Sequence, residues 1–134
     1  MEVELILTVF VKCRGSVSVS GHTKDIVMIP FTGTAEGPFF SGNIIGTGTD
    51  TQEITKDGRC RLSARYMIEG HDCAGKPCRL FIENENRDDG RLRPRIVTDS
   101  EALAEWETSL LCAEIEPDGD NVTIKIYKEK SARC

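Results

Sequence analysis

No apolar run in the 134 residues reaches the roughly 18 needed for a membrane-spanning helix, so no membrane partner is expected. Positive charge is in deficit. The 17 Lys and Arg face 22 Asp and Glu, a net charge of −5, whereas a chain that grips phosphates needs a basic face. Nucleic acid is therefore not an expected partner. The opening Met1-Glu2-Val3-Glu4 is acidic where a secretory leader would be basic. His is scarce, with only His22 and His71, both in expected loops. No Gly-x-Ser-x-Gly or His-Glu-x-x-His motif occurs. Gly46-Thr47-Gly48 has no helix after it whose N-terminus would hold a phosphate. No cofactor is expected.

Cysteine is not scarce: positions 13, 60, 73, 78, 112 and 134. The even count fits a disulfide framework, but without a leader the expectation is a cytoplasmic protein with reduced thiols. His71-Asp72-Cys73 with Cys78 offers metal-ligand types. The spacing is not Cys-x2-Cys and no second pair mirrors it, so no metal site is expected. Asn121-Val122-Thr123 fits a glycosylation sequon, which is moot in a reduced compartment.

Period-two patterns dominate what is present. Strands are expected over 3–12, 25–31, 39–45, 51–55, 59–69, 77–84, 110–116 and 122–127. The Ser-Val repeat between Gly15 and Gly21 reads as a short strand or an extended loop. Pro30 suggests an edge or bend. Residues 32–37 and 46–50 read as breaks, Asp57-Gly58 as a hairpin turn, 72–76 and 117–120 as turns, and 87–91 as a polar loop. In 59–69, Cys60, Leu62, Ala64, Tyr66 and Ile68 share one face, with Arg65 and Met67 on the other. One helix of about two turns is expected after Thr98 and Glu101, which have capping-box spacing, with Asp99 and Ser100 as alternative caps. The tail from Lys128 is expected to fray. The whole reads as one all-β domain over 1–134: an antiparallel closed β-barrel of about eight strands with one short helix.

Several segments carry a resemblance. They are Ile29-Pro30-Phe31-Thr32-Gly33-Thr34-Ala35-Glu36-Gly37-Pro38, Gly48-Thr49-Asp50, Leu62-Ser63-Ala64-Arg65-Tyr66, Leu80-Phe81-Ile82-Glu83-Asn84, Trp106 after Pro94, and Val122 to Tyr127. Together they resemble the small bacterial and fungal proteins known as domain of unknown function 3237, over nearly the whole chain. The resemblance implies a lipocalin-like antiparallel barrel and no settled activity.

The candidate site residues follow from chemistry. Arg65 and Glu83 lie on adjacent strands; facing inward, a guanidinium would clamp an anionic ligand and Glu83 would serve as base. Asp50 is the other catalytic candidate, either a general base or an acid that orders its own turn. Tyr66 offers a phenol, Glu36 a loop carboxylate at a barrel mouth, Asn84 an amide at the end of the resembling segment, and Trp106 a stacking surface or a plug. The expected function is a small-molecule-binding barrel, with a possibly anionic ligand and with acid/base chemistry left open. The alternative is a non-catalytic dimeric binding or assembly module with a filled barrel, and a homo-oligomer is compatible with both.

Overall fold

A computed structural model describes residues 2–86 and 90–130. Ten strands form one antiparallel sheet: β1 Glu2–Cys13, β2 Val17–Ser20, β3 Lys24–Glu36, β4 Phe40–Ile44, β5 Gly48–Thr55, β6 Cys60–Asp72, β7 Pro77–Asn86, β8 Leu92–Thr98, β9 Leu111–Asp118 and β10 Asn121–Lys130. The sheet curls back on itself, because β3 pairs with β1 from Thr8↔Glu36 to Cys13↔Phe31. Around this barrel-like ring β1, β10, β9, β8, β7, β6 and β3 take one place each. β4 and β5 share the eighth, between β6 and β3. The weak joint is β8–β9, where a single pair, Leu92↔Ala113, carries the ladder.

Alternation then sorts the side chains. Leu7, Val9, Val11, Phe31, Ala35, Tyr66, Ile68, Leu80, Ile82, Ile96, Ile124 and Ile126 fill the interior. A register shift between Leu5 and Leu7 lets consecutive Ile6 and Leu7 both be buried, as a bulge does. Where β4 crosses β6, Gly42 pairs with Gly70. A Cβ on Gly70 would lie 1.9 Å from the Ser41 carbonyl oxygen, so only glycine lets the two backbones meet.

The structure departs from the sequence expectations at several places. β3 runs unbroken through Pro30 and Gly33, since Pro30 pairs with Thr49 and Gly33 lies against the Phe10 carbonyl. β5 begins at Gly48, so Asp50 is a strand residue and not part of a turn. β8 was not expected as a strand at all. Its alternation, Leu92-Arg93-Pro94-Arg95-Ile96, was hidden by the proline. β9 continues through Pro117 and Asp118, and β10 extends to Lys130 rather than fraying at Lys128. The expected helix is one 3-10 turn, Ala104–Glu107. Thr98 ends β8; its hydroxyl donates to the Arg79 carbonyl at 2.8 Å and accepts the Ser100 amide at 3.1 Å, so it holds the turn leaving the strand and not the helix. Ser100 Oγ accepts the Leu103 N–H at 3.2 Å in the turn before the helix, and the 3-10 turn itself has no side-chain cap. The polar segment 87–89 and Cys134 lie outside the described residues.

Replacement Gly70→Ala is expected to lower unfolding free energy by about 2 kcal/mol or more, because overpacking against backbone cannot relax by a rotamer change. Urea denaturation with an unchanged m-value would read this as lost stability.

Candidate functional site

Strands β5 and β7 place polar side chains on the inner face in one row, on either side of β6. Asp50 on β5 is opposite Ala64 on β6, Ala64 is opposite Asn84 on β7, and Asn84 is opposite Pro94 on β8. Strand spacing puts the Asp50 and Asn84 backbones about 10 Å apart, with only the methyl of Ala64 between them. Tyr66 is two residues on along β6, on the same face. The Asn84 side chain is 1% exposed and Tyr66 4%. Asp50 Oδ1, Tyr66 Oη and Asn84 Oδ1 are all buried without a hydrogen-bond partner. Native interiors seldom leave such groups unpaired, since each costs about 1–3 kcal/mol. Three of them around one small residue is therefore the most informative feature of the interior.

The surroundings tune these groups. Gln52 Nε2 donates to Asp50 Oδ2 at 2.9 Å, which fixes the carboxylate and turns Oδ1 inward. Burial pushes the Tyr66 phenol far above its ordinary value, so it stays protonated and can donate. The Phe31 ring meets the Tyr66 ring edge-on at 5.4 Å. A Cβ on Gly48 would lie 2.6 Å from the Phe31 ring and 2.7 Å from Tyr66 Cβ, so that glycine makes room for both aromatics.

Beside the row, at the β8–β9 joint, a cleft of about 380 Å³ is mixed in character, with Pro94, Ile96 and Trp106 lining it together with Arg93, Arg95 and Glu107. Trp106 is 3% exposed and packs edge-on against Phe39 at 6.3 Å. Pro94 belongs to both the cleft and the polar row. Across the outside of the joint, Arg93 Nη1 donates to Glu129 Oε2 at 2.7 Å and to the Leu111 carbonyl at 3.3 Å.

Four of the expected site residues, Asp50, Tyr66, Asn84 and Trp106, thus have buried functional atoms or rings on the inner side. Arg65 and Glu83 do pair, at 2.8 Å, but on the outer face. Arg65 is 68% exposed, and Glu83 also binds Arg95 at 3.2 Å. The inward clamp expected of them is corrected by alternation: Ala64 and Tyr66 face inward, so Arg65 between them cannot. Glu36 is exposed on β3, beside an outer groove that also includes Glu69 and His71, away from the row. Sequence reasoning missed Gln52, Pro94 and the Arg93–Glu129 pair. The alternation in 92–96 was the signal available for the latter two.

Asp72 turns out to organise a turn. It accepts from the Ala74 and Lys76 amides at 2.9 and 3.1 Å, and from Ser100 Oγ at 2.7 Å. Among the described residues no three His, Cys, Asp or Glu side chains converge as metal ligands.

The chain's relatives fit this architecture. The family model described as a protein of unknown function, DUF3237, matches residues 1–85. UPF0311 protein CA_C3321 of Clostridium acetobutylicum is 40% identical over 58 residues, 42% of this chain and 34% of that protein. The matched segment thus spans about a third of that curated relative's length. Among solved structures, a protein with unknown function from Clostridium acetobutylicum superposes with a TM-score of 0.81 at 22% identity, over 96% of both chains. An enzyme from Penicillium herquei superposes with a TM-score of 0.72 at 15% identity, over 93% of both.

Two outcomes follow from the interior and its border. Tyr66→Phe removes a buried hydroxyl that has no partner, so stability is expected to hold or rise by about 1 kcal/mol, read as an unchanged or higher Tm. The Ser100 hydroxyl, and after it the Lys76 amide, hold the Asp72 carboxyl below its ordinary 3.8. A carboxyl with a depressed folded-state value stabilises above the unfolded value and loses that contribution as pH falls through the folded one. Asp72→Asn is therefore expected to lower Tm at neutral pH and to converge on the wild type in a Tm series taken below pH 3.8.

Proposed function

This chain belongs to the DUF3237 family, and on that premise we propose that it binds a small, neutral, hydroxyl-bearing organic molecule against the Asp50–Ala64–Asn84 row. The observation that carries this reading is the set of three buried polar atoms without partners. Asp50 Oδ1 and Asn84 Oδ1 are acceptors, and the protonated Tyr66 phenol is a donor. They suit a ligand with hydroxyl donors at one point and a carbonyl or ether oxygen at another. An anion is disfavoured at the row, because Arg65 stands on the outer face, Arg93 is held by Glu129, and Arg95, which lines the cleft, is paired with Glu83.

The Trp106 cleft adds apolar surface from Pro94, Ile96 and Trp106 next to the polar row, with Arg95 and Glu107 on the same cleft, and its volume is in the range of small-molecule sites. Asp50, oriented by Gln52, is placed to accept a proton from a ligand hydroxyl or an acidic C–H, while Tyr66 donates to the oxygen on which negative charge develops. That the Penicillium herquei protein of similar fold is an enzyme supports testing for such chemistry.

The test is a thermal-shift screen of hydroxylated aromatic and polyketide-like compounds, acids beside their neutral analogues. It is run on the wild type, Arg65→Met and Asn84→Leu. A neutral hit present at about 100 times its Kd should add about 2.7 kcal/mol of stability to the wild type and to Arg65→Met. Asn84→Leu should lose most of that shift, although its own fold is intact. A hit that stabilises Asn84→Leu as much as the wild type would place binding elsewhere.

A further inference from the structure

The short strand β2 stands at one end of the strand order. It pairs with β3 from Val17↔Met28 to Ser20↔Asp25. The β1–β10 ladder stops at Val11↔Val122, so β10 does not extend alongside β2. Among the described residues no strand lies along the other edge of β2, and all four of its residues are exposed. Val17 is 68% exposed and Val19 61%, and Met28 beside Val17 is exposed too. Soluble proteins usually protect such an edge with charge, proline or a bulge. From Gly15 to Gly21 this chain has no charged residue and no proline.

Two features identify the strand that fits this edge. The segment Ser16-Val17-Ser18-Val19-Ser20 reads the same in both directions. An antiparallel copy centred on Ser18 therefore sets Val17 against Val19, Ser16 against Ser20, and Ser18 against its own equivalent. Each apolar side chain meets an apolar one and each hydroxyl a hydroxyl. Charges around β3, the strand that β2 pairs with, are neutralised in pairs, Lys24 with Glu53 at 3.0 Å and Lys56 with Asp25 at 3.3 Å, and Arg14 just before the edge turns to the Thr32 hydroxyl at 3.4 Å. A second copy of a chain with net charge −5 would meet repulsion over much of its surface, but not here.

We infer that β2 is a self-association edge, at which two copies of this chain pair antiparallel about a two-fold axis through Ser18 and continue one sheet into the other. The contact is isologous, so it closes at two copies and does not propagate. It is small, so the dimer is in exchange with monomer.

Sedimentation velocity at roughly 0.1 mM chain, a concentration suited to a weak contact of this size, tests the inference. The wild-type mass should rise with concentration toward twice 14.8 kDa. Ser18→Lys sets two like charges directly opposite and should remain monomeric, with a circular dichroism spectrum like that of the wild type. Ser18→Glu alone should also remain monomeric. Mixing equal amounts of Ser18→Lys and Ser18→Glu should restore the dimer, because only this register brings position 18 of one copy against position 18 of the other. A wild type that stays monomeric overturns the inference. So does a Ser18→Lys protein that dimerises like the wild type, or a mixture that fails to recover the dimer.

Discussion

Closure of the sheet through β3 and β1 is the constraint on which everything else rests. Once a sheet is wrapped, each residue has one of two addresses, inside or outside, and its neighbour in sequence takes the other. Apolar residues at the inner addresses supply the stabilising burial, and a polar residue there is costly unless something pairs with it. The Asp50–Ala64–Asn84 row draws its meaning from this. The same three residues on an open, solvated sheet would be unremarkable surface.

The interior is not uniform. Ile68, Leu80, Ile82, Ile96 and Ile126 fill one region with hydrocarbon. The polar row sits beside it, with Gln52 and Asn86 further along. Asn86 bonds the backbone of Leu62 and Cys60 through its side chain, at 3.1 and 2.8 Å, and extends the β6–β7 ladder by one step. The fully paired amide at 86 and the unpaired amide oxygen at 84, two residues apart on one strand, separate a structural Asn from one available to a ligand. The outer face follows a different logic. Arg65 and Arg95, both exposed, share the largely covered Glu83 carboxylate, and Arg95 also lies over the Phe81 ring at 5.6 Å. Contacts of that kind contribute little to stability.

Period two made the fold class and most strands legible in the sequence, and the hairpin at Asp57-Gly58 appears where expected, with Gly58 at φ 90°. What was not legible has local causes. Gly48 reads as a turn residue, yet its lack of a side chain serves Phe31 and Tyr66, so Asp50 was assigned to a loop when it lies in a strand. Pro94 reads as a break, but it occupies a place beside the sparse β8–β9 joint, where few ladder hydrogen bonds are required. The inward Arg65–Glu83 clamp conflicted with the alternation already visible in 62–68. Cross-strand proximity was right, and the face was wrong. The missing partners of Asp50, Tyr66 and Asn84 have no sequence signal, because they depend on everything that three strands and their neighbours fail to supply.

The sparse joint between β8 and β9 has a dynamic consequence. At most other joints, parting two strands means breaking a run of backbone hydrogen bonds together. Here the wall is held by one residue pair and by side chains, chiefly Arg93 reaching to Glu129 and to the Leu111 carbonyl. Fluctuations that open this fissure need not melt any strand. The amides flanking it should exchange with solvent hydrogen long before the β6–β7 ladder lets go.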